Sequence, residues 1–388
     1  MTIVSLGFSK KGFARAQVNT ECALNETSGE LVGLRSDVSY TLASVSKVFT
    51  TFWAVSALGP DYRFPHLIFI TPTGARNFDI HISGSQFPYF DRSMLHHLAS
   101  QLKLKDITSV NRLTFDENFE YSSIVRTNPK LAHQNKDQDT AEIRNELRRD
   151  LNRLLPVKSI ELVSTTVFQP SGNTSKFLYQ SVPLHRILKE MNRNSHNFAA
   201  DKIFEKLQRK ESFESFMKTK LSIPTGQYAV YNGSGYPTGF NGKKVYNTAT
   251  CTAVVTMMSE LQKSLSEHNY NFTDIMAVSG KDAAADGEST VSQIYGDKAT
   301  EGVLIAKTGT VADTVALAGL VSSEKGPVYF HTSYVYDSSA EERRQAYDSI
   351  RDRLHAELIR NGGKRPFGNY QPVAFLPYDK MSLLVLAD

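Results

Sequence analysis

Residues 44–60 constrain this chain more than any other stretch. Ser44-Val45-Ser46-Lys47 places a hydroxyl and an amine three residues apart at a helix start, and residues three apart on a helix share a face. The run that follows carries Val48, Phe49, Phe52, Trp53, Val55 and Leu58 and stops at Gly59-Pro60, which predicts a mostly apolar, deeply buried helix. A helix that is apolar nearly all round has to be enclosed by other elements. Ser44 then sits at its N-terminus, where the dipole and unpaired N–H groups favour developing negative charge, while an enclosed Lys47 loses part of its preference for the protonated form. That pairing describes an activated serine. Taken alone, the same spacing also describes a capping serine beside a solvated lysine.

Two further motifs decide between these readings. Ser195-His196-Asn197 lies between the helical stretches Val182–Asn194 and Phe198–Leu207 and reads as a short interhelical turn. Lys307-Thr308-Gly309-Thr310 ends the apolar run Val303–Ala306, a buried strand, and Val315–Leu320 supplies a second run to pair with it. S-x-x-K, S-x-N and K-T-G in that order resemble the penicilloyl serine transferases, that is, the penicillin-binding proteins and serine β-lactamases. Asn232-Gly233-Ser234-Gly235, Met276–Gly280 and Leu58–Phe64 narrow the resemblance to class C low-molecular-mass penicillin-binding proteins, the D-Ala-D-Ala carboxypeptidases and endopeptidases. Two positions depart from that pattern: Asn232 stands where the family usually has Asp, and Tyr236-Pro237-Thr238-Gly239 lacks the arginine that helps hold the peptide side chain in some relatives.

The resemblance implies a fold and a set of roles. The expected fold class is α/β (α+β), a β-lactamase/transpeptidase-like antiparallel sheet flanked by helices with a smaller inserted α+β domain. Ser44 and Ser195 lie about 150 residues apart, more than one helical subdomain needs, so residues 61–176 are expected as the insert and 1–60 with 177–388 as a discontinuous catalytic domain. Larger relatives nest a further domain inside the insert, for which the spacing here is too short. Within the insert, strands are expected at Leu67–Thr71, Asp79–Ile82 and Arg112–Phe115, helices at Ser93–Lys103 and Thr140–Leu155, and a loop at Thr127–Thr140. Within the catalytic part, strands at Gly302–Lys307, Val315–Val321 and Pro327–Tyr336, a covering helix at Ala340–Arg360 and N-terminal strands at Ile3–Phe8 and Gly12–Asn19 are expected. By the same resemblance, Ser44 forms the acyl-enzyme and Lys47 takes its proton. Ser195 relays a proton to the leaving amine, and Asn197 restrains Lys47 and bonds substrate. Lys307 meets the terminal carboxylate, Gly309 completes its motif and Thr308 and Thr310 donate hydroxyls. The N–H groups of Ser44 and Thr310 form the oxyanion hole.

Other readings are weaker on the residues. A serine β-lactamase would share the three motifs, yet Arg148 precedes Leu151-Asn152 where class A enzymes carry a deacylating glutamate, and Ser195-His196-Asn197 replaces the Y-x-N of class C enzymes. A non-catalytic peptidoglycan-binding protein would tolerate losing catalytic residues, and none is lost. His96-His97 has no accompanying metal-ligand spacing, and Gly239–Lys244 fails as a phosphate loop because Lys244 and Pro237 occupy required Ser/Thr and Gly positions. No cofactor or metal is implied. The 388 residues, 40% hydrophobic, suffice for a large core, and a net charge of +4, spread among acids apart from the helix face at Arg144–Arg153, argues against nucleic-acid binding. No run of 18 apolar residues suggests a membrane span. Cys22 and Cys251 are left open as a bridge or as two free buried thiols. The expected partners are peptidoglycan stem peptides and cross-links, with β-lactams as covalent inhibitors. The expected place is the periplasm, for a mature form whose export signal has gone.

Overall fold

The computed structural model describes residues 18–122, 140–221, 223–224, 226–240, 243–284, 287–336 and 339–387. The strands of the two large sheets are, in chain order, β1 (Val18–Asn25), β2 (Leu31–Leu34), β3 (Pro65–Pro72), β4 (Phe78–Ser83), β5 (Val110–Phe115), β6 (Val157–Leu162), β7 (Ser175–Gln180), β8 (Leu304–Val311), β9 (Thr314–Ser323), β10 (Gly326–Val335) and β11 (Val385–Leu386). The main helices are α1 (Ser46–Leu58), α2 (Arg92–Lys103), α3 (Thr140–Leu151), α4 (Leu184–Arg193), α5 (Asn197–Gln208), α6 (Phe213–Leu221), α7 (Cys251–Ser266) and α8 (Ala340–Arg360).

A five-stranded antiparallel sheet runs β8-β9-β10-β1-β2. Strand residues alternate between faces, and β9 shows the consequence: Ala316, Ala318 and Leu320 join the cluster built around α1 and α7, whereas Val315, Leu317 and Val321 join Ala346, Ile350, Leu354 and Leu358 of α8. The sheet is therefore a middle layer with helices on both sides. α1 is buried from Ser46 to Val55, and Trp53 packs its ring 5.2–5.7 Å from those of Phe204, Phe213 and Phe216. These aromatics are core, as the apolar run predicts. Cys22 of β1 and Cys251 at the start of α7 form a disulfide, which closes the question the sequence leaves open.

The second sheet runs β11-β7-β3-β4-β5-β6. Its β4-β5 and β5-β6 pairs are parallel, and α2 and α3 fill the crossovers that parallel neighbours require. Asp91 caps α2 by accepting from Ser93 N and Met94 N. β6, β7 and β11 have no counterpart in the sequence reading. Strand β7 runs across the expected boundary at 176 and 177, and β11, from the far end of the chain, pairs with it. The expected Thr140–Leu155 helix stops at Leu151. The expected N-terminal strands lie almost wholly outside the described residues, as does nearly all of the Thr127–Thr140 loop; the described N-terminal strand starts at Val18.

Candidate active site

Three short segments converge on the start of α1. A 3-10 turn at Ala43–Val45 leads into the helix and carries Ser44. Ala43 holds a positive φ of 47, a region that costs an L-residue energy and persists only where surroundings enforce it. Here Leu42 N donates to Asn247 O at 2.9 Å and Ser46 Oγ donates to Ala43 O at 2.7 Å. Two glycines press on the same turn. A Cβ on Gly235, which has φ +75, would lie 1.8 Å from Ala43 O, and one on Gly309 would lie 2.7 Å from Leu42 O and 3.3 Å from Ser44 N. Backbone contact this close explains why N-G-S-G and K-T-G carry glycine at those positions. Ser195, between α4 and α5, is also left-handed at φ 53, and the turn is closed by His196 N donating to Met191 O. His196 Nδ1 accepts from Ala199 N and so caps α5.

Lys47 is the centre of the polar network. It has no solvent exposure, and its Nζ donates to Ser44 Oγ at 3.0 Å, Asn197 Oδ1 at 2.7 Å and the Ser234 carbonyl at 2.8 Å. Burial lowers the pKa of this amine to about 7 from 10.5, against an opposing pull from the Asp201 carboxylate. Of the three partners, the Asn197 oxygen and the Ser234 carbonyl can only accept. A neutral Lys47 keeps its two N–H bonds there, and its lone pair then faces the Ser44 hydroxyl, which is the orientation a general base needs.

A second pair sits beside the first. Lys307 Nζ donates to Ser195 Oγ at 3.0 Å and to Thr308 O at 2.7 Å, again with no exposure. Burial, and then the charge of Lys47, lower its pKa well below the usual lysine range. The odd positions of β8 put Lys307 on the same face as Ile305, toward α1. Thr308 Oγ1 donates to Thr290 Oγ1 at 3.1 Å, and Thr290 donates to Arg193 O at 3.3 Å, which ties the rim to the turn before Ser195. The exposed Thr310 hydroxyl meets Tyr347 OH of α8 at 3.2 Å.

The structure thus brings Ser44, Lys47 and Asn197 into one hydrogen-bonded group and Ser195 and Lys307 into another, with Gly309 against the turn that carries Ser44. Sequence reasoning missed the Ser234 carbonyl, Asp201, whose Oδ1 accepts from Ser234 N at 2.7 Å, and Thr290. Asp201 had a signal, lying one helical turn after Asn197 on α5. Asn232 serves the turn itself: its Oδ1 accepts from Gly235 N at 2.8 Å and its Nδ2 donates to Tyr236 O at 2.7 Å, a donation an aspartate could not make. The His96-His97 pair belongs to α2, where His97 bonds Tyr179 OH and stacks on Tyr378. Among the described residues, no three His, Cys, Asp or Glu stand together as a metal site, and no helix is long and apolar enough to cross a membrane.

Comparison with known proteins follows the same lines. The D-Ala-D-Ala carboxypeptidase 3 (S13) family profile matches residues 17–141 and 137–356. Among solved structures, the Bd3459 predatory endopeptidase of Bdellovibrio bacteriovorus, in complex with immunity protein Bd3460, is 32% identical. The match covers 96% of this chain and 100% of that one with a TM-score of 0.85. A penicillin G-acylated form of Bd3459 is 33% identical, covers 96% and 100%, and has a TM-score of 0.81. Penicillin-binding protein 4 of Haemophilus influenzae, at 18% identity, 87% and 96% coverage and a TM-score of 0.63, shares the fold. No curated protein matches the chain in sequence.

Proposed function

The chain belongs to the D-Ala-D-Ala carboxypeptidase 3 (S13) family and is a serine peptidase, and from that premise we propose how its residues act on peptidoglycan. It is a DD-peptidase with endopeptidase activity that reacts with β-lactams, as its 33%-identical relative does with penicillin G. Ser44 attacks the carbonyl of the penultimate D-Ala and gives its proton to Lys47, forming the acyl-enzyme and releasing D-Ala or the cross-linked amine. Ser195, bonded to Lys307, passes its hydroxyl proton to that leaving nitrogen and takes in return the proton held by Lys47, so that Ser195 is whole and Lys47 neutral again before water attacks. Water then repeats the attack on the acyl carbonyl and restores Ser44.

Binding follows from the edge position of β8. Val278 pairs with Ile305, and the strand beyond it carries Lys307 to Thr310 past the nucleophile turn. A stem peptide laid along this edge would gain main-chain hydrogen bonds. Lys307 would then attract its terminal carboxylate. The N–H groups of Ser44 and Thr310 would hold the developing oxyanion, each worth about 3–4 kcal/mol in such sites. The division into a catalytic part, 1–60 and 177–388, and an insert, 61–176, belongs to this proposal. So does cutting cross-links alongside trimming terminal D-Ala, because a short insert leaves room on both sides of the scissile bond. A peptidoglycan-acting chain whose two cysteines are paired fits a compartment outside the cytoplasm, and we place it in the periplasm.

The observation that carries this reading is the buried Lys47 amine pointed at Ser44 by two acceptors. The test is acylation with a fluorescent penicillin followed by peptide mapping, beside mass spectrometry of products from cross-linked sacculi and a soluble pentapeptide. Label on Ser44, lost in Ser44→Ala, and loss of dimeric muropeptides are expected. Label elsewhere overturns the mechanism, and surviving dimers with a trimmed pentapeptide overturn the endopeptidase claim.

A further inference from the structure

We propose that Asp201 is a positioning residue for the catalytic amine: its carboxylate holds Ser234, whose carbonyl holds Lys47, and it presents a negative charge to that amine. This deepens the acyl-enzyme reading and rests on Lys47 being the proton acceptor.

The geometry is a buried relay. Asp201 follows Asn197 by one turn of α5, so both side chains reach toward α1 from the same helix face. Asp201 is 8% exposed, and its Oδ1 accepts from Ser234 N at 2.7 Å. The Ser234 carbonyl accepts from Lys47 Nζ at 2.8 Å. The segment between these bonds has little freedom. A Cβ on Gly233 would lie 2.2 Å from Ala200 O, so the segment is pressed onto α5 just before Asp201, and Thr50 Oγ1 of α1 donates to Gly233 O at 2.9 Å. Moving Asp201 therefore moves one of the two acceptors that aim Lys47 at Ser44.

The charge acts on the same amine. The charged groups facing Lys47 are Asp201 from α5 and Lys307 from β8, while Ser44, Asn197 and Ser234 are neutral partners. Burial alone drives the Lys47 amine toward its neutral form, and Asp201 opposes that drive. A carboxylate here lets one lysine be protonated and deprotonated near neutral pH, as a base that must later return its proton requires.

The test follows acylation by a fluorescent penicillin from pH 5 to 9 in the wild type, Asp201→Asn and Asp201→Glu. Asparagine keeps an oxygen for Ser234 N–H and removes the charge. The ascending limb of Asp201→Asn should lie at least half a pH unit below that of the wild type, about a threefold gain in rate relative to its own plateau on that limb. Asp201→Glu, which keeps the charge on a longer arm, should return the limb to the wild-type pH with a lowered plateau. If Asp201→Asn does not fold, Asp201→Ser is titrated in its place with the same expectation. A lowered plateau with an unmoved limb overturns the Asp201 proposal and leaves the Lys47 reading standing. A wild-type profile with no ascending limb overturns both.

Discussion

If Lys47 accepts the Ser44 proton, acylation has to follow the fraction of Lys47 that is neutral. Burial brings its pKa to about 7. Neutral amine is then about 1% of the total at pH 5, about 10% at pH 6 and about 90% at pH 8. The apparent second-order rate constant for a fluorescent penicillin should climb close to tenfold per unit below pH 6.5 and flatten above pH 7.5. The pH 5 to pH 8 ratio should approach two orders of magnitude. A free lysine titrating at 10.5 would instead give a profile still rising at pH 9. Histidines also titrate in this window, and His196 is the chain neighbour of both Ser195 and Asn197. His196→Asn keeps an acceptor at the α5 N-cap, so its profile should retain the limb. Rates differing by less than threefold between pH 5 and 8, with circular dichroism showing the fold intact, would refute Lys47 as the base. So would a limb that vanishes in His196→Asn.

The same burial makes Lys47 a cost to the fold. Its folded pKa of about 7 lies below the unfolded 10.5, so the folded state binds fewer protons between those values and the wild type loses stability as pH falls from above 10.5 through 7. The unfolding free energy of Lys47→Met, read from urea titrations, should therefore gain on that of the wild type as pH drops from 10 to 7, by about 3–4 kcal/mol, while acylation is nearly abolished; a pH-independent gap would contradict the buried amine. Gly235→Ala would drive a Cβ to 1.8 Å from Ala43 O at φ +75, and penicillin labelling should fall at least tenfold; Gly29→Ala, at φ +70 with nothing within 4 Å, should cost only about 1–2 kcal/mol of stability and no activity. The Cys22–Cys251 bridge closes a separation of 229 residues, for which chain entropy gives an upper figure of about 5 kcal/mol. Replacing both cysteines with serine should lower the melting temperature by several degrees with the labelling rate at 20 °C within twofold, and an unchanged melting temperature would show the bridge to be inert.

What the sequence disclosed and what it hid divide along a physical line. The side chains proposed to be catalytic, which the fold brings together, stood out because such chemistry asks for particular groups at fixed local spacing: a hydroxyl and an amine on one helix face at Ser44 and Lys47, or Lys307 ahead of a glycine that lets backbone pass the Ala43–Ser44 turn. The long strands β9 and β10 were legible as apolar runs buried along most of their length, and the helix α8 as a long charged stretch that returns Ala346, Ile350, Leu354 and Leu358 to one buried face. Elements stabilised mainly by tertiary partners were not. The two residues of β11 become a strand only because β7 offers an open edge, and β6 and β7 alternate too weakly to stand out from their polar surroundings. The disulfide needed β1 and α7 to be packed together, which no spacing states.

The missed part of the site follows the same rule and explains how the site is built. Ser234 contributes a carbonyl, and every residue has one, so no side-chain pattern can announce it. Asp201 acts through that carbonyl's residue rather than on a substrate. The sequence therefore names the groups proposed to do chemistry, and the fold supplies those that hold them in place. Lys47 needs both kinds: Asn197 could be recognised from its motif, but the second acceptor exists only because Gly233 and Gly235 let a loop lie between α5 and the Ala43–Ser44 turn. Remove either glycine's freedom and the amine should keep its burial while losing its direction, which is why the proposed catalytic apparatus includes the loop and not only the three motifs.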